Sequence, residues 1–296
     1  DVARRRGIPA VHWEHGGAWF DRRRDPSRYL AGIRGAICNS HAAERMLQLR
    51  FGFDGTSRVC LNGIRASCMP LDVEPKRAPE DRPWRLGFAS RIEPIKGLPL
   101  LLHAAARLRE GGTGFEVHVA GAGSEAASAE DVVRRLGLGD VVRFLGFVDD
   151  MQAFYRSMDV VVMPTLNEPF GLIAAEAMAC ACPVVAARTD GLAEVLRDGV
   201  TGVYVDPTLR GDDLRALDVP PDRLTPVVYD PNTDRLVDPS GCAPDDLVAA
   251  LLAVLGAPAR FEAMSGAAVE LARDAYAFPK HFDDVLDALA SFREAG

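Results

Sequence analysis

The chain has 296 residues, 48% of them hydrophobic and 26% charged, the composition of a globular protein with room for about two domains. Its net charge of −8 argues against a general nucleic-acid binder, and no run of about 18 apolar residues exists to span a membrane as a helix. The charge is uneven: residues 1–65 carry 12 Arg and 6 acidic residues, net +6, which leaves −14 for the rest. Arg4–Arg6 and Arg22–Arg24 read either as solvated surface charge or as a basic face toward an anionic acceptor or a membrane. The six cysteines form no C-x-x-C pair and no metal-ligand spacing with histidine, so reduced, buried thiols in the cytoplasm are the simplest account. The opening Asp-Val-Ala-Arg-Arg-Arg has no initiator Met or signal pattern and reads like the middle of a helix.

In chain order the pattern alternates strand and helix, which predicts an α/β fold with parallel sheets. Gly7–Trp13, Ala36–Cys38 and Val59–Leu61 read as strands, with a helix from Ser40 through Phe51 behind a near capping box. Residues 65–83 lose periodicity and contain four prolines, a linker. Six strands follow, at Arg85–Ala89, Phe115–Ala120, Val141–Leu145, Val160–Met163, Val184–Ala187 and Gly202–Val205. Helices at Leu98–Glu110, Glu125–Leu136, Asp149–Ser157, Gly171–Ala181 and Leu192–Arg197 separate them, a Rossmann-like rhythm. Residues 206–243, rich in Pro and Asp, break it and read as an insertion with an exposed hairpin-like excursion. Helices return at Asp245–Leu255, Ala259–Ala275 and Lys280–Phe292. The expected domains are 1–70, a partial Rossmann-like unit, and 71–279, a donor-binding unit. Residues 280–296 form a helix that crosses back to the first.

Two clusters carry chemistry. After the strand ending at Met163 comes Pro164-Thr-Leu-Asn-Glu168-Pro-Phe-Gly171-Leu-Ile-Ala-Ala-Glu176. Ligands of parallel sheets gather at the carboxyl ends of strands, and a helix starting at Gly171 offers the N–H groups of Gly171, Leu172 and Ile173 to a phosphate. Glu176, about one and a half turns into that helix, suits a pair of ribose hydroxyls. The second cluster, Ser90-Arg91-Ile-Glu-Pro-Ile-Lys96-Gly97, also follows a strand, and two cations on one loop suit a diphosphate. No D-x-D lies near either cluster, and Asp149-Asp150 read as a helix cap, so no metal site is expected. The turn Gly121-Ala-Gly123 fits a weak dinucleotide fingerprint, but no acidic residue follows to take a ribose.

Together, Glu168-x7-Glu176, Ser-Arg91-x4-Lys96-Gly, Val119-Ala-Gly-Ala-Gly123 and Phe144-Leu-Gly-Phe-Val148 resemble the retaining GT-B-fold glycosyltransferases of the "group 1", or family four, type. The resemblance covers residues 7–205 and the last helices. It implies two Rossmann-like domains, the first only partly present, with C-terminal helices. It gives the diphosphate to Arg91 and Lys96, the ribose to Glu176, and the donor sugar to Glu168 and the backbone at Phe170–Leu172. Gly121 belongs to the same cradle, and Phe147 and Val148 meet the base. His15, in Val11-His-Trp-Glu-His15-Gly-Gly, matches a histidine near the anomeric centre, with His12 as the alternate. No Gly-rich loop precedes His15, which such enzymes place after the first strand of the N-terminal domain.

The function expected is transfer of a sugar, with retention, from a UDP-, GDP- or ADP-sugar to an acceptor that is a glycan, a lipid-linked or a small molecule. No cofactor and no nucleic acid are expected, and the location is cytoplasmic or peripheral at the inner face of the membrane. Two other readings stand beside it: a nucleotide-sugar-binding module without turnover, and a sugar-nucleotide epimerase on the same fold.

Overall fold

The structure, a computed structural model, describes residues 5, 6, 8, 10–20, 26–70 and 72–294. Two parallel sheets form in chain order. β1 (Val11–Glu14), β2 (Gly35–Cys38) and β3 (Ser57–Val59) make the first, in that order. The short helices α1 (Gly17–Phe20) and α2 (Ser27–Leu30) join β1 to β2, and α3 (His41–Phe51) joins β2 to β3. Of the strand expected at Gly7–Trp13, Gly7 and Pro9 lie outside the described residues, as do Arg4 and Arg22–Arg24 of the basic runs. The third strand lies two residues earlier than expected.

The second sheet contains β4 (Trp84–Ala89), β5 (Phe115–Ala120), β6 (Val142–Gly146), β7 (Val160–Met163), β8 (Val184–Ala187) and β9 (Gly202–Val205). All are parallel, in the order β6-β5-β4-β7-β8-β9. The helices α4 (Leu98–Glu110), α5 (Ala126–Arg135), α6 (Met151–Ser157) and α7 (Leu172–Ala179) alternate with them and cover both faces. That is why β7 and β8 are continuous buried runs of Val, Met and Ala rather than alternating ones. The chain winds outward from β4 and then returns to the other side through β7. The reversal leaves a crevice between the carboxyl ends of β4 and β7, where doubly wound sheets bind ligands.

The helix expected at Leu192–Arg197 is a 3-10 turn at Asp190–Glu194. Asp190 there adopts φ +43 and is tied on four sides, so the chain cannot wind regularly from it.

After β9 come α8 (Gly211–Ala216) and the antiparallel hairpin β10 (Val228–Asp230) and β11 (Arg235–Val237). The hairpin is present where the sequence placed it, but it is not an exposed excursion. Val228 and Tyr229 are buried in one cluster with Trp19, Met46 and Leu47 of the first domain. Arg45 of α3 forms a two-pronged ion pair with Asp234, at 2.7 Å on each arm. The last helices are α9 (Pro244–Leu255), α10 (Pro258–Ala275) and α11 (Phe278–Glu294). α11 lies on the first sheet, where Val285, Ala288 and Phe292 pack with Ile37 and Cys60. Among the described residues no single helix is long and apolar enough to cross a membrane.

Candidate functional site

The loops after β4 and β7 are bonded to each other. The first closes in a short turn, Pro94–Lys96, ended by Gly97 at φ +69. A Cβ on Gly97 would lie 2.0 Å from the Pro164 carbonyl oxygen, so only glycine lets the two loops meet this closely. Leu166 N–H donates to the Ile95 carbonyl at 2.8 Å, and Thr165 Oγ1 donates to the same oxygen at 2.9 Å.

This contact sets Lys96 Nζ 2.8 Å from Glu168 Oε2, with both side chains 15% exposed. The sequence suggested separate duties for Lys96 and Glu168; the structure joins them in one ion pair. An ammonium with one carboxylate partner keeps further N–H donors for a phosphate oxygen. Arg91 lies on the outer side of the same loop, 73% exposed, bonded to Glu93 at 2.9 Å. A pair this open is weakly held and can be exchanged for a ligand's charge.

A cavity of about 410 Å³ opens at the carboxyl ends of β4, β5 and β6, lined among others by Arg91, Gly121, Phe147, Val148, Ile173 and Glu176. A wider depression of about 490 Å³ lies between β3 and α11, away from the strand ends of the second sheet. The smaller one has the chemistry. On its floor Glu176, half-buried, accepts a hydrogen bond from Tyr155 Oη at 3.1 Å through one oxygen. Burial raises the Glu176 pKa, against the opposing effects of Tyr155 and Arg65. Phe147 is 80% exposed at the rim, a free aromatic face beside a cavity of nucleoside size. Gly121, at φ +143, packs its backbone on Ser90, where a Cβ would fall 1.8 Å from the carbonyl oxygen. The glycines of that turn are accounted for by loop packing rather than by a dinucleotide.

Gly171, at φ +109, starts α7 with no side-chain cap, which leaves the N-terminal N–H groups at Leu172 and Ile173 free of such a partner. Phe170 contributes only backbone to the crevice: its ring is buried edge-on against Tyr276.

From the first domain, the turn carrying His15 meets the same loop. Gly16 lies so close to the Pro169 ring that a Cβ would approach its Cγ to 2.7 Å. His15 reaches solvent at its edge and stacks on Trp13 at 5.0 Å, and desolvation of the covered side holds its pKa below the ordinary imidazole value. His12 faces elsewhere, bonded to Tyr29 Oη at 2.7 Å and Glu14 Oε2 at 3.0 Å. Glu14 shapes the turn, accepting from the N–H groups of Gly16 at 2.6 Å and Ala18 at 3.0 Å. Burial works to raise the Glu14 pKa, but these bonds and His12 outweigh it and lower it.

Sequence reasoning missed the seam between the domains. Ser40 caps α3 as expected, accepting from Ala43 N–H at 3.0 Å, and its hydroxyl donates to the Pro169 carbonyl at 2.7 Å. Glu44 does not complete a capping box. Glu194, from the other domain, accepts from the N–H groups of His41 at 2.8 Å and Ala42 at 2.7 Å. Asp190, Asn167 and Trp19 form a buried hydrogen-bonded group behind Glu168. Nothing in the local pattern links these residues, since their partners lie far apart in the chain. Among the described residues no group of three or more His, Cys, Asp or Glu could hold a metal ion.

A six-stranded doubly wound sheet with a cavity at its own strand ends, beside a second parallel sheet and followed by helices that return to the first, defines a GT-B-like α/β architecture. Solved structures agree on the fold. The chain superposes on HepE from Anabaena, solved in complex with UDP, with a TM-score of 0.74 and 19% identity over 98% of this chain and 74% of that one. It superposes on sucrose-phosphate synthase from Thermosynechococcus elongatus with a TM-score of 0.71 and 20% identity, over 100% of this chain and 71% of that one.

Residues 72–217, about half of the chain, match the family described as "Glycosyl transferases group 1", and this segment belongs to that family. Among curated relatives, the D-inositol 3-phosphate glycosyltransferase of Geodermatophilus obscurus is 45% identical over 130 residues, 40% of this chain and 29% of that protein. The protein of the same name from Salinispora tropica is 38% identical over 162 residues, 51% of this chain and 33% of that protein. The matched segments thus span a third or less of these relatives.

Proposed function

We propose that this chain transfers a sugar, with retention, from a nucleoside diphosphate sugar to an acceptor hydroxyl on a glycan, a lipid-linked or a small molecule. The observation that carries the reading is the joining of two loops at the switch point of the second sheet. It sets Lys96 beside Glu168, and Arg91 and Glu176 on one cavity. The base lies at Phe147 and Val148, beside Gly121. The ribose hydroxyls donate to Glu176, whose carboxylate has one hydrogen-bond partner among the described residues and capacity for more. The diphosphate lies between Arg91, Lys96 and the start of α7 at Gly171, Leu172 and Ile173. The sugar faces Glu168, the backbone of Phe170 and, across the cleft, His15. UDP suits the donor, because HepE was solved with UDP and with UDP-glucose.

In the reaction the bond from the anomeric carbon to the phosphate oxygen breaks, and Arg91, Lys96 and the helix dipole stabilise the departing charge. The acceptor oxygen bonds to the same face, and its proton passes to the departing phosphate. No cofactor or metal is needed, since the donor carries the leaving group and the protein supplies the positive charge. The reading places the chain in the cytoplasm, in keeping with six cysteines outside any disulfide. Exposed Arg5 and Arg6 suit a peripheral membrane contact.

The test is release of nucleoside diphosphate from UDP-, GDP- and ADP-glucose, with the anomeric form of the first-formed product read by proton NMR. The expected result is release from one of them, with the α anomer formed first. No release from any of the three, full activity in the Arg91→Ala/Lys96→Ala double variant, or a β product would overturn the reading. Nucleotide binding without release would favour a binding module.

A further inference from the structure

The insertion at 206–243 has no part in the reading above, yet it reaches the donor loop through one buried carboxylate. Asp190 is fully buried and adopts φ +43, in the left-handed region that side chains seldom occupy. Both of its oxygens are filled. Oδ1 accepts from Trp19 Nε1 at 2.9 Å and from Tyr229 N–H at 2.7 Å. Oδ2 accepts from Asn167 Nδ2 at 2.7 Å and from Glu168 N–H at 3.1 Å.

A carboxylate removed from water persists only where its acceptor capacity is taken up, and four N–H donors do so here. The donors come from three places: the first domain, the hairpin of the insertion, and the loop whose carboxylate pairs with Lys96. Asn167 is 1% exposed, and its Oδ1 has no hydrogen-bond partner among the described residues. Its side chain is therefore held through Nδ2, by Asp190. Glu168 is held by its backbone from behind and by Lys96 from in front.

We propose that Asp190 is a positioning residue for the donor-sugar side of the site, through which Trp19 and the β10–β11 hairpin fix where Glu168 points. The role assigned to Glu168 rests on the nucleotide-sugar reading; the geometry does not. A residue that merely held the fold together would affect every ligand alike. Asp190 bonds to the loop that carries Glu168, whereas neither it nor any of its four partners lines the cavity at the ends of β4, β5 and β6.

The experiment is calorimetric titration of wild type, Asp190→Asn and Trp19→Phe with UDP and with UDP-glucose, alongside amide hydrogen exchange. Asn at 190 turns an amide NH₂ against N–H donors, whereas Phe at 19 removes one donor and serves should Asp190→Asn fail to fold. The expected result is a loss of about 10-fold in UDP-glucose affinity for Asp190→Asn and a smaller loss for Trp19→Phe, with UDP affinity held within about 2-fold. Exchange should rise over residues 164–170 and 227–230 while β4 and β5 stay protected. Equal losses for both ligands, or wild-type exchange over 164–170, would overturn the proposal. If wild type binds neither ligand, the nucleotide-sugar reading fails, and the exchange pattern alone then decides for or against Asp190.

Discussion

Glu176 and Asp190 are carboxylates in the same domain, put to opposite ends. Glu176 stands on the floor of an open cavity and, among the described residues, has one hydrogen-bond partner, the Tyr155 hydroxyl. Asp190 lies in the seam between the domains with every acceptor site taken. Unused hydrogen-bonding capacity beside a cavity points to a ligand; capacity fully used away from one points to the fixing of other groups. The same contrast separates the proposed nucleoside side of the crevice, built within one domain, from the proposed sugar side, assembled from two domains and an insertion.

The largest expected effect breaks the charge on the shared wall of these regions. Lys96→Ala should lower turnover of the donor by roughly 10²- to 10³-fold, measured as nucleoside diphosphate release, because it removes a cation aimed at the leaving group.

The next concerns Asp190 itself. Burial raises its pKa to about 6, against bonds from Tyr229, Trp19, Asn167 and Glu168. Unfolded, it titrates near the ordinary aspartate value. Its contribution to stability is therefore greatest at low pH and is lost as pH rises through about 6. Over that window the loss is on the order of 3 kcal/mol. Denaturant unfolding of wild type and Asp190→Asn between pH 4 and 7.5 should show that pH slope only in wild type.

On the nucleoside side, Glu176→Gln should weaken UDP binding by about 10-fold or more, as hydrogen bonds to a charged acceptor are lost. Burial raises the Glu176 pKa, and ribose hydroxyls donate to the ionised form. Wild-type affinity for UDP should therefore fall as pH is lowered into the acid range, and calorimetry should find Glu176→Gln flat over it. The smallest expected effect lies at the seam. Ser40→Ala removes the α3 cap and the bond to Pro169, and should cost about 1–2 kcal/mol by thermal unfolding, with UDP binding unchanged.

The same division governs what the sequence discloses. β5, β7, β8, β9 and α4 occur at the residues expected, because each is a local apolar run or an amphipathic period bounded by Gly, Pro or charge. The two candidate clusters, at 90–97 and 164–176, can be picked out for the same reason: each lies on a few consecutive residues at a strand end. The seam is not. Trp19 meets Asp190 across 171 positions, Glu194 caps a helix 153 positions upstream, and the hairpin buries Tyr229 against the first domain. Such pairings follow from the meeting of two domains, and no short window of sequence contains them. The Pro- and Asp-rich insertion looks solvated for the same reason. Asp234 does point outward to Arg45, but the apolar pair Val228–Tyr229 points inward.

We propose that the crevice is a nucleoside diphosphate site. Calorimetric titration of the chain with UDP and with UMP, repeated with the GDP and ADP pairs, tests it most directly. One diphosphate is expected to bind at least about 10-fold more tightly than its monophosphate, through Arg91 and Lys96. No binding of any diphosphate, or monophosphates bound equally well, would contradict it.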